Sequence, residues 1–193
     1  MNKKQLLELG RELGLARDRA DPRLALRGQL DGAPVFVAQY EMTLGRDPRP
    51  RPFTDLQVER ASAWRGVLCG VSSGRRGDTG DVPFDDRFRW WSPVERPDAP
   101  RPAYLGSPRL RQALLVLDAS IAAAIGHQGI VVFQIDHLEA ATRMMILTHL
   151  PQAALLERAL RLLIEVAGPC SEEHATADRP SGAAGMTRRT GDR

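Results

Sequence analysis

Four aspartates between Gly77 and Trp91 form the densest group of residues that could do chemistry. The stretch reads GDTGDVPFDDRFRWW, and its carboxylates are Asp78, Asp81, Asp85 and Asp86. Carboxylate oxygens are the ligands that calcium and magnesium prefer. The spacing matches no calcium-binding loop, however, and four arginines close by in sequence can neutralise the carboxylates. We therefore interpret the stretch as a salt-linked turn whose aspartates cap backbone amides, with a cation site as the alternative.

Two short motifs beside this stretch resemble those of hydrolases. Gly70–Gly74 reads G-x-S-x-G around Ser72, but that motif needs a helix directly after the serine, and the glycine-rich sequence that follows is not helical. Asp78-Thr79-Gly80 copies the triplet of aspartic proteases, which need two such carboxylates, and the chain holds one copy. Neither motif predicts a catalytic residue. A hydrolase or metal-dependent enzyme using the loop Ser72–Asp86 remains the alternative function.

Three histidines lie near the ends of predicted elements. His127, His137 and His149 could ligate a metal, or act as a base beside an orienting carboxylate. No pair of them has the i, i+4 spacing of a helical metal site. We predict turn and surface histidines, no metal site and no cofactor.

The aromatic residues that follow the aspartates predict a strand with two different faces. Over Asp86–Ser92 the alternation places Trp90 on the inward face with Phe84 and Phe88. Trp91 then lies on the outward face with Arg87 and Arg89, where a guanidinium group can stack on the indole. These three residues, Trp91, Arg87 and Arg89, form the candidate interaction surface. In the alternative interpretation, Trp91 packs under the proline-rich connector that follows it.

The first half of the chain predicts one helix and several strands. Leu6, Leu9 and Leu13 recur at helical spacing before Gly14. Asp31-Gly32 supplies the turn of a hairpin that joins Leu24–Leu30 to Ala33–Thr43. The predicted strands that complete this half are Phe53–Ala63 and Trp64–Val71.

The second half predicts two long helices separated by strand-like sequence. Ser107-Pro108 starts a helix over about 108–125, and Pro151 opens another over 151–167. Between them, Gly129–Asp136 is a predicted strand, whereas Ala141–His149 suits either a strand or a helix. The chain is therefore predicted to be α+β, with a largely antiparallel sheet, both main helices on one face and a short N-terminal helix. We expect a single domain over 1–168 and a disordered tail over 169–193.

Composition excludes several classes of function. The 193 residues carry a net charge of +3 and hold two cysteines, too few for a disulfide framework. The arginines alternate with acidic residues, which argues against nucleic acid as a partner. There is no apolar run of the length needed to span a membrane, and the first residues lack the apolar core of a signal peptide. We expect a cytoplasmic protein.

The segment over about 81–147 resembles a group of uncharacterised bacterial α+β domains. The residues that carry the likeness are Phe84-Asp85-Asp86-Arg87-Phe88, like an F-[DE]-x-x-F strand, and Tyr104–Pro108, like a Y-L-[TS]-P helix start. Members of that group have no assigned activity, and many are attached to membrane helices. The resemblance implies a fold and no catalytic residue. Together with the lack of a complete catalytic constellation, it favours a non-catalytic protein-interaction or structural domain with an unidentified protein partner.

Overall fold

The computed structural model describes residues 3–43, 48–60, 64–70, 75–76, 79–91, 102–126 and 133–168. Within these ranges a nine-stranded sheet has the order β1-β2-β3-β4-β9-β8-β5-β7-β6, and every pairing is antiparallel. The strands are β1 (Ala16–Arg17), β2 (Leu24–Leu30), β3 (Ala33–Met42), β4 (Arg51–Val58), β5 (Gly66–Gly70), β6 (Arg75–Arg76), β7 (Phe88–Trp91), β8 (Phe133–His137) and β9 (Thr142–Ile146).

In the same described ranges, four helices accompany the sheet. They are α1 (Lys3–Glu12), α2 (Val82–Arg87), α3 (Pro108–Ile125) and α4 (Ala153–Ala167), and a short 3₁₀ helix covers Ala103–Gly106. Side chains of α1, α3 and α4 share one apolar core with a single face of the sheet. The predicted α+β class, with two main helices on one face of an antiparallel sheet and a short N-terminal helix, is confirmed.

Local sequence signals set several element boundaries. Asp31 and Gly32 have φ values of 51° and 73°, which the two-residue turn between β2 and β3 requires. The Ser107 side chain accepts a hydrogen bond from the amide of Leu110 at the start of α3. Gly126, with φ of 71°, ends that helix in the left-handed conformation.

The prediction of a strand over Asp86–Ser92 is wrong in its first part. Phe84 and Asp86 belong to α2, and the strand begins only at Phe88. Asp81 caps this helix, since its Oδ1 accepts a hydrogen bond from the amide of Phe84 at 3.3 Å, and Pro83 lies in the first turn. A separation of four residues places Phe84 and Phe88 on one side in either conformation, so both are buried all the same.

Other boundaries also differ from the predicted ones. The strand expected over Phe53–Ala63 is Arg51–Val58, and the ambiguous segment Ala141–His149 contains the strand Thr142–Ile146. The strand expected over Gly129–Asp136 is described from Phe133 onward. The predicted disordered tail lies outside the described residues.

Candidate interaction face

The face of the sheet opposite the helices carries its own set of side chains. Along β3, Val35 and Val37 point into the main core, while Phe36 and Ala38 form a separate small cluster with Ala25. We call this second side of the sheet the open face. Its side chains alternate with core residues along every long strand, because successive residues of a strand point to opposite sides.

Over β2, β3, β4 and β9, arginine side chains cover the open face. The guanidinium carbon of Arg23 lies 5.5 Å from the ring centroid of Phe36 and 5.1 Å from that of Tyr40. Asp55 is fully buried and accepts two hydrogen bonds from Arg143, at 2.7 Å and 2.8 Å. The hydrogen bonds that Arg143 donates to Asp55 raise the pKa of the Arg143 guanidinium. Paired charges and stacked rings therefore cover this half of the face.

Over β8, β5 and β7 the open face carries smaller side chains and one large exposed aromatic. Register places Trp91 beside Val67, and Val67 beside Asp136. Trp91 is 47% exposed. Leu138, which follows β8 at the same end of the sheet, is also 47% exposed. We call the set Arg65, Val67, Trp91, Asp136, Leu138 and Glu139 the Trp91 patch.

The structure separates one of the three residues predicted for the interaction surface, Arg87, from the other two. Arg89 shares the open face with Trp91, two residues along β7, and donates hydrogen bonds to the carbonyl oxygens of Asp85 and Phe88. Arg87 belongs instead to α2, where its Nε donates to Oδ2 of Asp118 on α3 at 2.6 Å. The prediction that Arg87 lies with Trp91 is wrong because the strand starts one residue after Arg87.

The aspartates of α2 and its N-terminal turn are engaged in holding the backbone and binding arginine. Oδ2 of Asp81 accepts from Nε of Arg111 at 3.0 Å, in addition to its capping bond. Asp85 is buried and accepts from the amide and hydroxyl of Thr79, at 3.0 Å and 2.9 Å. The side-chain oxygens of these two residues are thus directed at protein groups.

His137 lies in the core, so the prediction of a surface position is wrong for this histidine. Its Nε2 lies 3.3 Å from the Tyr104 hydroxyl, and its Nδ1 lies 3.4 Å from the Thr142 hydroxyl. The ring packs edge-on against Trp64 at 4.9 Å. Burial lowers the pKa of His137 to about 4 and raises the pKa of the Tyr104 phenol. A neutral imidazole in this position serves packing.

His149 is half-buried, and its Nε2 lies 3.1 Å from the carbonyl oxygen of Tyr40. Ser72, Asp78 and His127 lie outside the described residues. Across the described ranges, no three His, Cys, Asp or Glu side chains are grouped so that they could hold a metal ion.

None of the helices in the same ranges has the length and apolar character needed to cross a membrane.

A shallow groove of about 330 Å³ runs along the outer side of α3 and α4. Ala113, Ala154 and Leu162 contribute its apolar part. Arg109 of α3 forms an ion pair with Glu165 of α4, and Arg161 forms ion pairs with Glu157 and Asp31. These ion pairs link side chains along the rim of the groove to one another.

Sequence reasoning missed most of the Trp91 patch. Val67 and Asp136 alternate with the buried residues Leu68 and Ile135, which is the signal that could have placed them outward. Their position beside Trp91 depends on the order β8-β5-β7, which joins strands distant in sequence.

Comparison with models of protein families, with curated proteins and with solved structures finds no match for this chain.

Proposed function

We propose that this chain is a non-catalytic protein-interaction domain that binds a protein partner through the Trp91 patch. The observation that carries the proposal is the 47% exposure of Trp91, on a face where the other half is closed by arginines. Exposed aromatic anchors beside apolar neighbours are typical of protein contact sites. Leu138 extends the apolar surface at the same end of the sheet.

Charge pairing favours a protein over nucleic acid as the partner. Arg143 and Arg23 of the open face lie next to Asp55 and Asp21, so they do not form an unbalanced basic surface.

The alternative proposal is a hydrolase or metal-dependent enzyme that uses the loop Ser72–Asp86. The engagement of Asp81 and Asp85 by Arg111 and Thr79 favours the non-catalytic function. A broad screen for esterase, phosphatase and peptidase activity separates the two proposals. An activity that disappears on substitution of Ser72 or Asp78 would establish the enzyme.

Site-specific photocrosslinking in cells tests the interaction proposal. A photoreactive phenylalanine analogue replaces Leu138, and the same analogue replaces Val82 as the matched control. Val82 is 64% exposed on α2, away from the open face. We expect an adduct from position 138 that disappears when Trp91→Ala is added, and no such adduct from position 82. Equal labelling at both positions, or labelling that ignores Trp91→Ala, would contradict the proposal.

A further inference from the structure

A cluster of aromatic rings lies beneath the Trp91 patch, on the core side of the same strands. Successive residues of a strand point to opposite sides, so Trp90 and His137 occupy the core side next to the patch residues Trp91 and Asp136. The Trp64 ring packs edge-on against both, with centroids 6.5 Å from Trp90 and 4.9 Å from His137. The aromatic cluster and the patch are therefore two sides of one part of the sheet.

Gly66 brings the aromatic cluster into contact with the backbone of Trp91. An added Cβ at Gly66 would lie 2.5 Å from the Trp64 ring and 2.2 Å from the carbonyl oxygen of Trp91. Gly66 is also the partner of His137 in the register of β5 and β8. The contacts thus run from the imidazole through the Trp64 ring to the backbone of Trp91. In a close-packed interior, a shift of the first group moves the others.

Both ring nitrogens of His137 face neutral hydroxyl groups. Tyr104 of the 3₁₀ helix lies near Nε2, and Thr142 of β9 lies near Nδ1. Burial raises the pKa of the Tyr104 phenol, so this group stays neutral in acid. The charged side chains that adjoin His137 along β8 and across the sheet belong to the open face. Each of them is engaged there: Asp136 by Gln134, Arg143 by Asp55, and Glu139 by Arg65.

The strands that carry the patch are short. β7 has four residues, and β5 and β8 have five each, whereas β3 has ten. Few backbone hydrogen bonds hold a short strand, so it can open locally at a lower free energy than the whole domain. A local displacement at this end of the sheet therefore costs less than global unfolding.

We propose that protonation of His137 displaces the Trp64 ring and, with it, the Trp91 end of β7, so that mild acid dismantles the Trp91 patch before the domain unfolds. The inference rests on the proposed function, since it assigns a regulation to the same patch. In the displaced form water hydrates the imidazolium, and Trp64 no longer packs against Gly66 and the Trp91 carbonyl. His137 is thus a positioning residue for Trp91.

The direction of the effect follows from proton binding in the two forms. Burial lowers the pKa of His137 to about 4, whereas its ordinary value of 6.5 applies once the ring is hydrated. The displaced form binds the proton more readily, so acid favours it. Because one proton is taken up, the ratio of displaced to native form should rise about tenfold for each pH unit between about pH 6 and pH 4.5.

Fluorine NMR of the full chain labelled with 5-fluorotryptophan tests the inference. The chain contains three tryptophans, so each resonance can be assigned by replacing one tryptophan with phenylalanine. On titration from about pH 7.5 to pH 4.5, we expect the Trp64 and Trp91 resonances to change together, with the same midpoint as the resonances of isotope-labelled His137. Far-UV circular dichroism should remain native at that midpoint. A Trp91 resonance that stays constant, or that changes only together with the circular dichroism, overturns the inference.

Two variants identify the group that titrates. His137→Gln should remove the acid-induced change of the Trp91 resonance, because glutamine binds no proton. Asp136→Asn is the matched control, since it removes a titratable group of the patch next to His137 and should leave the change in place. Loss of the change in Asp136→Asn, with retention in His137→Gln, would assign it to the patch carboxylate and overturn the inference.

The proposed function and this inference fail in different ways. The NMR titration needs no partner, so its outcome stands even if the photoreactive analogue at position 138 captures nothing and the proposed function fails. Where the adduct forms, we expect its yield in cell lysate to fall by about tenfold or more between about pH 7 and pH 5 in the native chain, and to stay level in His137→Gln. A yield that falls equally in both chains overturns the inference and leaves the proposed function intact.

Discussion

The side chain of His137 is held neutral by its surroundings. The groups in contact with it include the Tyr104 hydroxyl, the Thr142 hydroxyl and the ring of Trp64, and these three are uncharged at neutral pH. Burial disfavours the charged imidazolium, which is why the pKa falls to about 4. His137 thus connects β8, β9 and the 3₁₀ helix as a hydrogen-bonding core residue.

The lowered pKa of His137 predicts a loss of stability in mild acid. The unfolded chain binds a proton near pH 6.5, whereas the folded chain does so near pH 4, so stability falls as the pH drops through this window. The full shift corresponds to roughly 3 kcal/mol. His137→Gln should flatten the decline in unfolding free energy between about pH 7 and pH 5, measured by urea denaturation. His149→Gln serves as the control, and an unchanged slope in His137→Gln would contradict this account.

Gly66 is the residue that allows β5 to approach β7 and Trp64. Its φ is +156°, and an added Cβ would lie 2.2 Å from the carbonyl oxygen of Trp91 and 2.5 Å from the Trp64 ring. A backbone oxygen at that distance cannot move aside without separating the strands.

We expect Gly66→Ala to lower the unfolding free energy by about 2 kcal/mol or more, because it combines strain with a backbone clash. Gly106→Ala is the matched control, since nothing lies within 4 Å of its added Cβ. Thermal and urea denaturation of both variants give the comparison. Equal stability of the two would show that the strands can separate at little cost.

At the scale of elements, α2 joins the sheet to α3 through two ion pairs. Nη2 of Arg87 lies 2.5 Å from Oδ2 of Asp118, whose side chain is only 3% exposed. The second pair joins Asp81, which also caps α2, to Arg111. Since Phe84 and Phe88 are buried beside these pairs, α2 is fixed by apolar contacts and by charge together.

Removal of one buried partner should cost more than removal of an exposed one. Asp118→Asn leaves the partly buried Arg87 without its carboxylate, and we expect a loss of about 2–4 kcal/mol in unfolding free energy. Glu139→Gln, at the exposed pair with Arg65, should produce no measurable change. In a double-mutant cycle built from Arg87→Leu and Asp118→Leu, the double variant should lose less unfolding free energy than the sum of the two single losses. Additive losses in the cycle would mean that the pair does not couple α2 to α3.

Local signals predicted the hairpin and the long helices, and they predicted α2 incorrectly. Asp31-Gly32 and Ser107-Pro108 act within a few residues, so their effect is readable in sequence. The separation of Phe84 and Phe88 suits a strand and a helix equally. Asp81 followed by Pro83 was the signal for a helix start, and it outweighs the strand pattern once the cap forms.

At the scale of the whole molecule, the open face could not have been predicted, because its pairs join distant parts of the chain. Arg143 and Asp55 are 88 residues apart in sequence, yet they form the ion pair that helps to cover one half of this face. The order β4-β9-β8-β5 brings the late strands between the early ones. Alternation along each strand gives the side on which a residue lies, but only the strand order gives its neighbours.

The main core ends with α4, and this placement sets the expected effect of shortening the chain. Leu163, Ile164 and Val166 are the last large apolar residues of the core, and Nη1 of Arg60 donates a hydrogen bond to the carbonyl oxygen of Gly168 at 2.7 Å. The sequence from 171 onward is small and polar, which is a composition that cannot bury much apolar surface.

A chain that ends at Cys170 should therefore unfold with the same free energy as the full chain, within about 0.5 kcal/mol. A chain that ends at Leu160 loses the buried residues of the last two turns of α4, and we expect it not to fold cooperatively. Circular dichroism during urea denaturation distinguishes the three chains. A loss of more than about 1 kcal/mol on removal of residues 171–193 would mean that this segment packs on the domain, contrary to its composition.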